Sequence, residues 1–257
     1  MNLINSILLG IIQGFTEFLP ISSSGHLVLG QYFLGIESPG ILLEVVLHLG
    51  TLLSILLYYR HDIFMLIQGI LKKRSESMDY AFMLIMATIP AVVVGLLFKT
   101  QLEFLFLPKF VPYMLLITGC FLVTTKFATE SQKNMTMKIA LLVGLSQVFA
   151  MLPGISRSGM TISLAIFLGI HRGDAAMFSF FMAIPVLLGA GILQLLEVGE
   201  SAIQVWPSLV IGFLAAFISG YVVIKWLIKI ISNQHFWKFS FYCIFVGLIC
   251  IIVGVGG

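Results

Sequence analysis

Residues 3 to 36 are flanked by runs apolar enough to be drawn into a bilayer, yet the middle, Gln13 to His26, reads QGFTEFLPISSSGH. An acid, an amide, three serines and an imidazole thus fall where hydrocarbon is expected. An ionisable group there costs at least about 2.5 kcal/mol, so such residues face a water-filled cavity, a partner charge or a ligand. A second stretch, residues 147 to 161, reads QVFAMLPGISRSGMT. At a constant offset of 134, Gln13 falls on Gln147, Ser22 on Ser156, Ser24 on Ser158 and Gly25 on Gly159, while Ser23 meets Arg157. The same offset lays Phe33-Leu34-Gly35 on Phe167-Leu168-Gly169. The chain therefore reads as duplicated, with Glu17 and His26 in one copy and Arg157 in the other.

A soluble domain is excluded: 60% of the 257 residues are hydrophobic and only 10% charged, where soluble domains carry about a quarter charged residues. The class is an all-α polytopic membrane protein. A membrane helix needs roughly 20 apolar residues, and six segments qualify: 41–59, 80–98, 113–128, 175–196, 205–226 and 237–256. Residues 3–36 and 139–170 are each too long for one span and broken near the middle, at Pro20 to Gly25 and Pro153 to Gly159. Each predicts two half-helices meeting at a turn, a re-entrant hairpin tolerated where protein or a cavity satisfies the freed backbone groups. Residues 1–128 and 129–257 then each comprise one hairpin and three spans. Three is odd, so the second half runs upside down relative to the first, an inverted repeat of the kind transporters use. The Pro207 to Gly212 spacing repeats that of Pro90 to Gly95.

Charge bears on the orientation independently, because lysine and arginine gather in cytoplasmic loops. With the 60–79 loop inside, Arg60, Lys72, Lys73, Arg74, Lys126, Lys133, Lys138, Arg172, Lys225, Lys229 and Lys238 are inside, eleven against Lys99 and Lys109 outside. The 197–206 loop, with Glu197 and Glu200 and no base, is expected outside, as are both termini. The net charge of +3 is spread over these loops, so no nucleic-acid partner is expected. Cys120, Cys243 and Cys250 lie in apolar spans and are expected as small buried hydrophobes without disulfide or metal. No cleavable signal peptide is expected, since no basic residue precedes the first apolar run.

Arg157 follows Pro153-Gly154 at the expected start of a helix. Helix N-termini offer free amides and partial positive charge, and arginine adds a planar fork suited to phosphate oxygens. An ion pair with Glu17 that merely holds the two tips together is the plainer alternative. Gln13 and Glu17, four residues apart, share a helix face and offer oxygen donors suited to Mg²⁺ or Ca²⁺; helix packing through the amide is the alternative for Gln13. His26 opens the second half-helix and offers either a general base or a nucleophile. Glu44 and His48 either line the same cavity or pair with each other, while His61, His171 and His235 fall in loops. Divalent cation, arginine, helix amides and a serine or histidine suit phosphoryl transfer, where positioning and charge neutralisation do most of the work. A site at membrane depth implies an amphiphilic substrate with a phosphate or diphosphate head.

QGFTEFLPISSSGH and PGISRSGMT (Pro153 to Thr161) resemble the two signatures of the undecaprenyl-diphosphate phosphatases, also called bacitracin-resistance proteins, and the similarity covers nearly the whole chain, including LEVVLHLGT and IPAVVVGLLF. The resemblance implies hydrolysis of undecaprenyl diphosphate to the monophosphate carrier lipid of peptidoglycan synthesis, a divalent cation, and a site on the outer side of the bacterial inner membrane. It places the family's acidic pair on Gln13 and Glu17, its serine on Ser23, its histidine on His26, and its second motif on Ser156, Arg157, Ser158 and Thr161. Many members carry glutamate where this chain has Gln13. We therefore expect His26, Ser23, Glu17 and Arg157 to be catalytic, and Ser22, Ser24, Gly154, Ser156, Ser158 and Thr161 to bind substrate. Glu17 and Gln13 are expected to hold the cation. The sequence does not decide between Ser23 and His26 as nucleophile, nor whether a homodimer forms. A polyprenyl-phosphate flippase on the same fold is the alternative to the enzyme.

Overall fold

The computed structural model describes residues 2–36, 41–98, 101, 104–128, 132–197 and 206–255; Lys99 and Glu200, used in the charge argument above, lie outside them. The order is α1 (Leu3–Phe18), α2 (Ser23–Phe33), α3 (Ile41–Tyr58), α4 (Arg60–Leu71), α5 (Ser75–Leu97), α6 (Val111–Thr124), α7 (Met137–Phe149), α8 (Arg157–Phe167), α9 (Arg172–Glu197), α10 (Trp206–Ser232) and α11 (Phe239–Ile252). Among the described residues the only β-type pairing is an isolated bridge between Lys133 and Ile170.

In both regions the expected pair of helices forms, α1 packing on α2 and α7 on α8, and the second arms match at the offset of 134. The helices α2 and α8 are each 11 residues long, and each is N-capped by a serine hydroxyl, Ser22 accepting from Gly25 N and Ser156 from Gly159 N. Such a cap satisfies one of the donors that a helix start leaves free. Each ends on a left-handed glycine, Gly35 (φ 62°) and Gly169 (φ 97°). The following amides, Ile36 and Ile170, reach back to the carbonyls of Gln31 and Ala165, the Schellman closure that a left-handed residue permits.

Four helical segments are long and apolar enough to cross a membrane: Ser75–Leu97, Pro108–Phe127, Arg172–Leu193 and Trp206–Ser232. The sequence reading differs from the structure in several places; His61, expected in a loop, lies in a helix, and the span expected at 205–226 runs on to Ser232. Residues 60–79, expected as a loop, contain α4, which bends by 74° from α3. Its Ile63 and Leu66, three residues apart, lie partly buried against the core, so a helical apolar stripe was hidden between charged ends. The span expected at 237–256 is shorter, a 3₁₀ turn (Phe236–Lys238) followed by α11. Gly254, at φ 72°, stops it, with Val255 N bonded back to Cys250 O.

Packing crosses between the halves. The first-half α1 packs against α10 and the second-half α7 against α5, while α3 meets α9 and α6 meets α11. Small residues let α1 and α10 approach closely, as helices do where lipid supplies no hydrophobic drive: a Cβ on Gly10 would lie 2.5 Å from Gly212 O. Phe18, Tyr59, Phe178, Phe180 and Phe181 belong to the largest buried cluster. Phe18 meets Phe180 edge to face at 5.6 Å, which fixes the end of α1, and so Glu17, against α9. Cys243 and Cys250 are buried, but Cys120 is exposed, contrary to the expectation for all three.

Candidate active site

The two hairpin turns touch. Ser22 Oγ, besides capping α2, accepts from Gly154 N at 3.0 Å, and Ser158 Oγ donates to Leu19 O at 3.2 Å. Gly154 is left-handed (φ 99°), and a Cβ there would stand 2.6 Å from Met114 Cβ. Thr118 of α6 ties the second turn from below, its Oγ1 donating to Gly154 O at 2.8 Å and accepting from Ser156 N at 3.1 Å. The N-termini of α2 and α8 therefore converge, and their partial positive charges favour an anion between them.

Glu17 sits at this junction, 6% exposed. Its Oε2 accepts from Ser23 Oγ at 2.6 Å and from Gln13 Nε2 at 3.0 Å; its Oε1 accepts from Arg157 Nη2. The other guanidinium branch, Nη1, donates to Ser179 O in α9 at 3.2 Å. His48 Nε2 stands 3.7 Å from Glu17 Oε2, and its Nδ1 lies 2.7 Å from Glu44 O of its own helix. The Glu44 carboxylate is engaged by Gln31 Nε2 at 2.8 Å, so of the two open alternatives His48 faces the site and does not pair with the Glu44 side chain.

The expected residues divide by exposure. Ser22, Ser156, Ser158 and Thr161 are nearly or fully buried and bond within the tips: Ser156 Oγ lies 3.2 Å from Ser158 Oγ, and Thr161 Oγ1 donates to Arg157 O at 2.7 Å. These residues shape and support the cradle. Ser23, Ser24, His26 and Arg157 are half-buried and remain within reach of a ligand. His26 turns away from Glu17: its Nδ1 is 2.8 Å from Ser22 O and its Nε2 2.9 Å from Tyr242 OH. Tyr242, Ser179 and Thr118 were not singled out in the sequence. Each is a lone hydroxyl in an apolar helix, with no local pattern to flag it.

The amide of Gln13 bears on whether a cation fits here. Its Oε1 is buried with no hydrogen-bond partner, while its amide nitrogen is used on Glu17. Among the described residues no group of three His, Cys, Asp or Glu gathers. One carboxylate and one orphaned amide oxygen fit a hard divalent cation whose other ligands are water and substrate phosphate, the habit of Mg²⁺.

A family model described as bacitracin resistance protein BacA matches residues 6–249. The chain is 44% identical to an undecaprenyl-diphosphatase of Christiangramia forsetii, over 98% of each chain. It is 39% identical to one of Methanobrevibacter smithii, over 97% of this chain and 96% of the relative. An undecaprenyl-diphosphatase of Thermotoga petrophila is 41% identical over 96% of this chain and 99% of its own.

Proposed function

The chain belongs to the bacitracin resistance protein BacA family, and we infer that it is a membrane enzyme hydrolysing undecaprenyl diphosphate to undecaprenyl phosphate and inorganic phosphate, with the reaction centred on Glu17. The carrying observation is that one buried carboxylate accepts from both the Ser23 hydroxyl and the Arg157 guanidinium. An arriving phosphate competes with that carboxylate for Arg157, because guanidinium binds either anion through the same fork. As the phosphate takes the guanidinium, Glu17 becomes free to accept the Ser23 proton over the existing 2.6 Å contact.

Ser23 Oγ then attacks the terminal phosphorus while the bond to the bridging oxygen breaks, and undecaprenyl phosphate leaves with that electron pair. Water attacks the phosphoserine, giving a proton to His26 Nε2, while the phosphorus–Oγ bond breaks and Ser23 Oγ recovers its proton from Glu17; inorganic phosphate departs and His26 releases its proton to bulk water. Arg157 and the converging N-termini of α2 and α8 stabilise the charge on the phosphoryl oxygens, where most of the rate enhancement in such transfers arises. Glu17 and Gln13 would hold a divalent cation, which neutralises diphosphate charge.

The two halves, 1–128 and 129–257, form an inverted repeat. Support comes from the exchanged packing of α1 with α10 and α7 with α5, and from α2 and α8 matching in length, cap and closure. We read the site as opening to the outer face of the bacterial inner membrane, as the resemblance of the two signatures implies. Rapid quench of a single turnover tests the chemistry. We expect phosphorylated Ser23 to appear before inorganic phosphate, and Ser23→Ala to abolish both. Undiminished phosphate release by Ser23→Ala refutes this mechanism.

A further inference from the structure

We propose that Tyr242 is a positioning residue for His26, fixing which ring nitrogen is free to exchange protons with the substrate. The inference rests on the reading above that His26 belongs to the reacting centre. Ser22 O, 2.8 Å from His26 Nδ1, is a carbonyl and accepts only, so Nδ1 carries the ring proton. In the neutral ring Nε2 therefore holds the lone pair, and the hydroxyl 2.9 Å away on Tyr242 is its donor. The two rings lie nearly parallel, at 17° with centroids 5.6 Å apart, so the aromatic face limits ring rotation as well.

The arrangement is tied to the first hairpin at its turn. His26 N also bonds Ser22 O, at 3.1 Å, so one carbonyl holds the backbone and ring of the same residue. Beside Tyr242, Cys243 Sγ approaches Pro20 O at 3.6 Å, which docks α11 on the turn that Ser22 completes. Tyr242 is itself 41% exposed and lies at the open side of the histidine. In the proposed reaction Nε2 takes the proton of the attacking water, and the Tyr242 hydroxyl is the group that holds it. Proton transfer to Nε2 requires that hydroxyl to give way to the attacking water.

The test measures phosphate release from undecaprenyl diphosphate by the purified full chain in detergent, for wild type, Tyr242→Phe, His26→Ala and the double variant, together with ¹⁵N-histidine NMR. The Phe variant keeps the ring and loses the hydroxyl. We expect its kcat to fall about tenfold, the equivalent of one hydrogen bond lost from the transition state, with KM within about twofold. We expect the double variant to be no slower than His26→Ala, since a residue acting through His26 has nothing left to position. In the wild type the His26 signals should report Nδ1 protonated and Nε2 bare, and only the Nε2 signal should shift in Tyr242→Phe. A wild-type kcat for Tyr242→Phe, a double variant slowed by the product of both factors, or a wild-type ring protonated at Nε2 overturns the proposal; the last holds even if the variant does not fold. Full turnover by His26→Ala refutes instead the place of His26 in the site.

Discussion

The Glu17–Arg157 pair joins two residues 140 apart in sequence across the touching tips. It does hold the tips together, as the plainer reading required, yet it also sets both groups where a phosphate would compete for them. The side chains are 5% and 17% exposed, so removing one partner strands the other. Arg157→Ala leaves a buried carboxylate without its guanidinium, holding only the Ser23 and Gln13 hydrogen bonds, and breaking a buried pair this way costs about 3–5 kcal/mol. We expect a clear fall in thermal unfolding temperature in detergent for Arg157→Ala, and partial recovery when Glu17→Gln is added. A double variant less stable than Arg157→Ala would show that the pair does not couple. Phosphate release should fall about 10²–10³-fold in either case, as when one preorganised donor to a transition-state anion is lost. That a lone acid and a lone arginine meet was legible in the sequence, because neither is tolerated unpaired in hydrocarbon. The Ser179 carbonyl that holds the second guanidinium branch was not, since backbone acceptors leave no mark on residue type. His48 was half-legible: it lies four residues from Glu44, and only the packing of α3 against α1 turns its ring towards Glu17.

At the level of elements, the two hairpins are where sequence and structure agree most closely, because Ser caps, Gly closures and Pro-Gly turns are local and carry their geometry in residue type. The boundaries of α2 and α8 follow from Ser22, Gly35, Ser156 and Gly169 alone. The helix α4 was missed because its apolar stripe is short and its neighbours Arg60, His61, Asp62 and Lys72 to Arg74 read as solvated loop. The second turn offers a sharp test of how tightly the tips are built. Gly154 combines a left-handed φ of 99° with a virtual Cβ 2.7 Å from Val111 O, whereas at Gly189 in α9 a Cβ meets nothing within 4 Å. Gly154→Ala should lower thermal stability by about 1–3 kcal/mol, the usual cost of a strained backbone position, and should displace the carbonyl that Thr118 binds. Gly189→Ala should be neutral or stabilising by up to about 1 kcal/mol, as alanine is in a helix interior. Thermal unfolding of the two variants, with phosphate release beside it, separates tip geometry from mere loss of glycine. Equal behaviour of the two would contradict the strain argument.

Over the whole molecule, α1 and α7, the first arms of the two hairpins, each pack on a helix of the opposite half, α10 and α5, while α3 pairs with α9 and α6 with α11. Under the proposed repeat these elements either exchange partners or pair with each other, the pattern that a two-fold relation between halves would produce. The basic residues follow one end of this arrangement. Lys126 at the end of α6 lies 4.8 Å over the ring of Trp237 at the start of α11, and Lys133 pairs with Ile170 just before α9. Lys109 sits at the other end of α6, in the 3₁₀ turn before it. Because lysine and arginine concentrate on the cytoplasmic side, the end carrying Lys126 and Lys133 should face the cytoplasm. The prediction is read from single cysteines in a chain whose three native cysteines are replaced by alanine, treated in intact cells with a membrane-impermeant maleimide. Lys109→Cys should react from outside, and Lys73→Cys, Lys126→Cys and Lys133→Cys only after the membrane is opened. Labelling of Lys73→Cys and Lys109→Cys from the same side would break the topology, because one span, α5, lies between them in the chain. Labelling of all four positions with sidedness reversed would leave the proposed two-fold relation untouched and turn the whole chain over in the membrane.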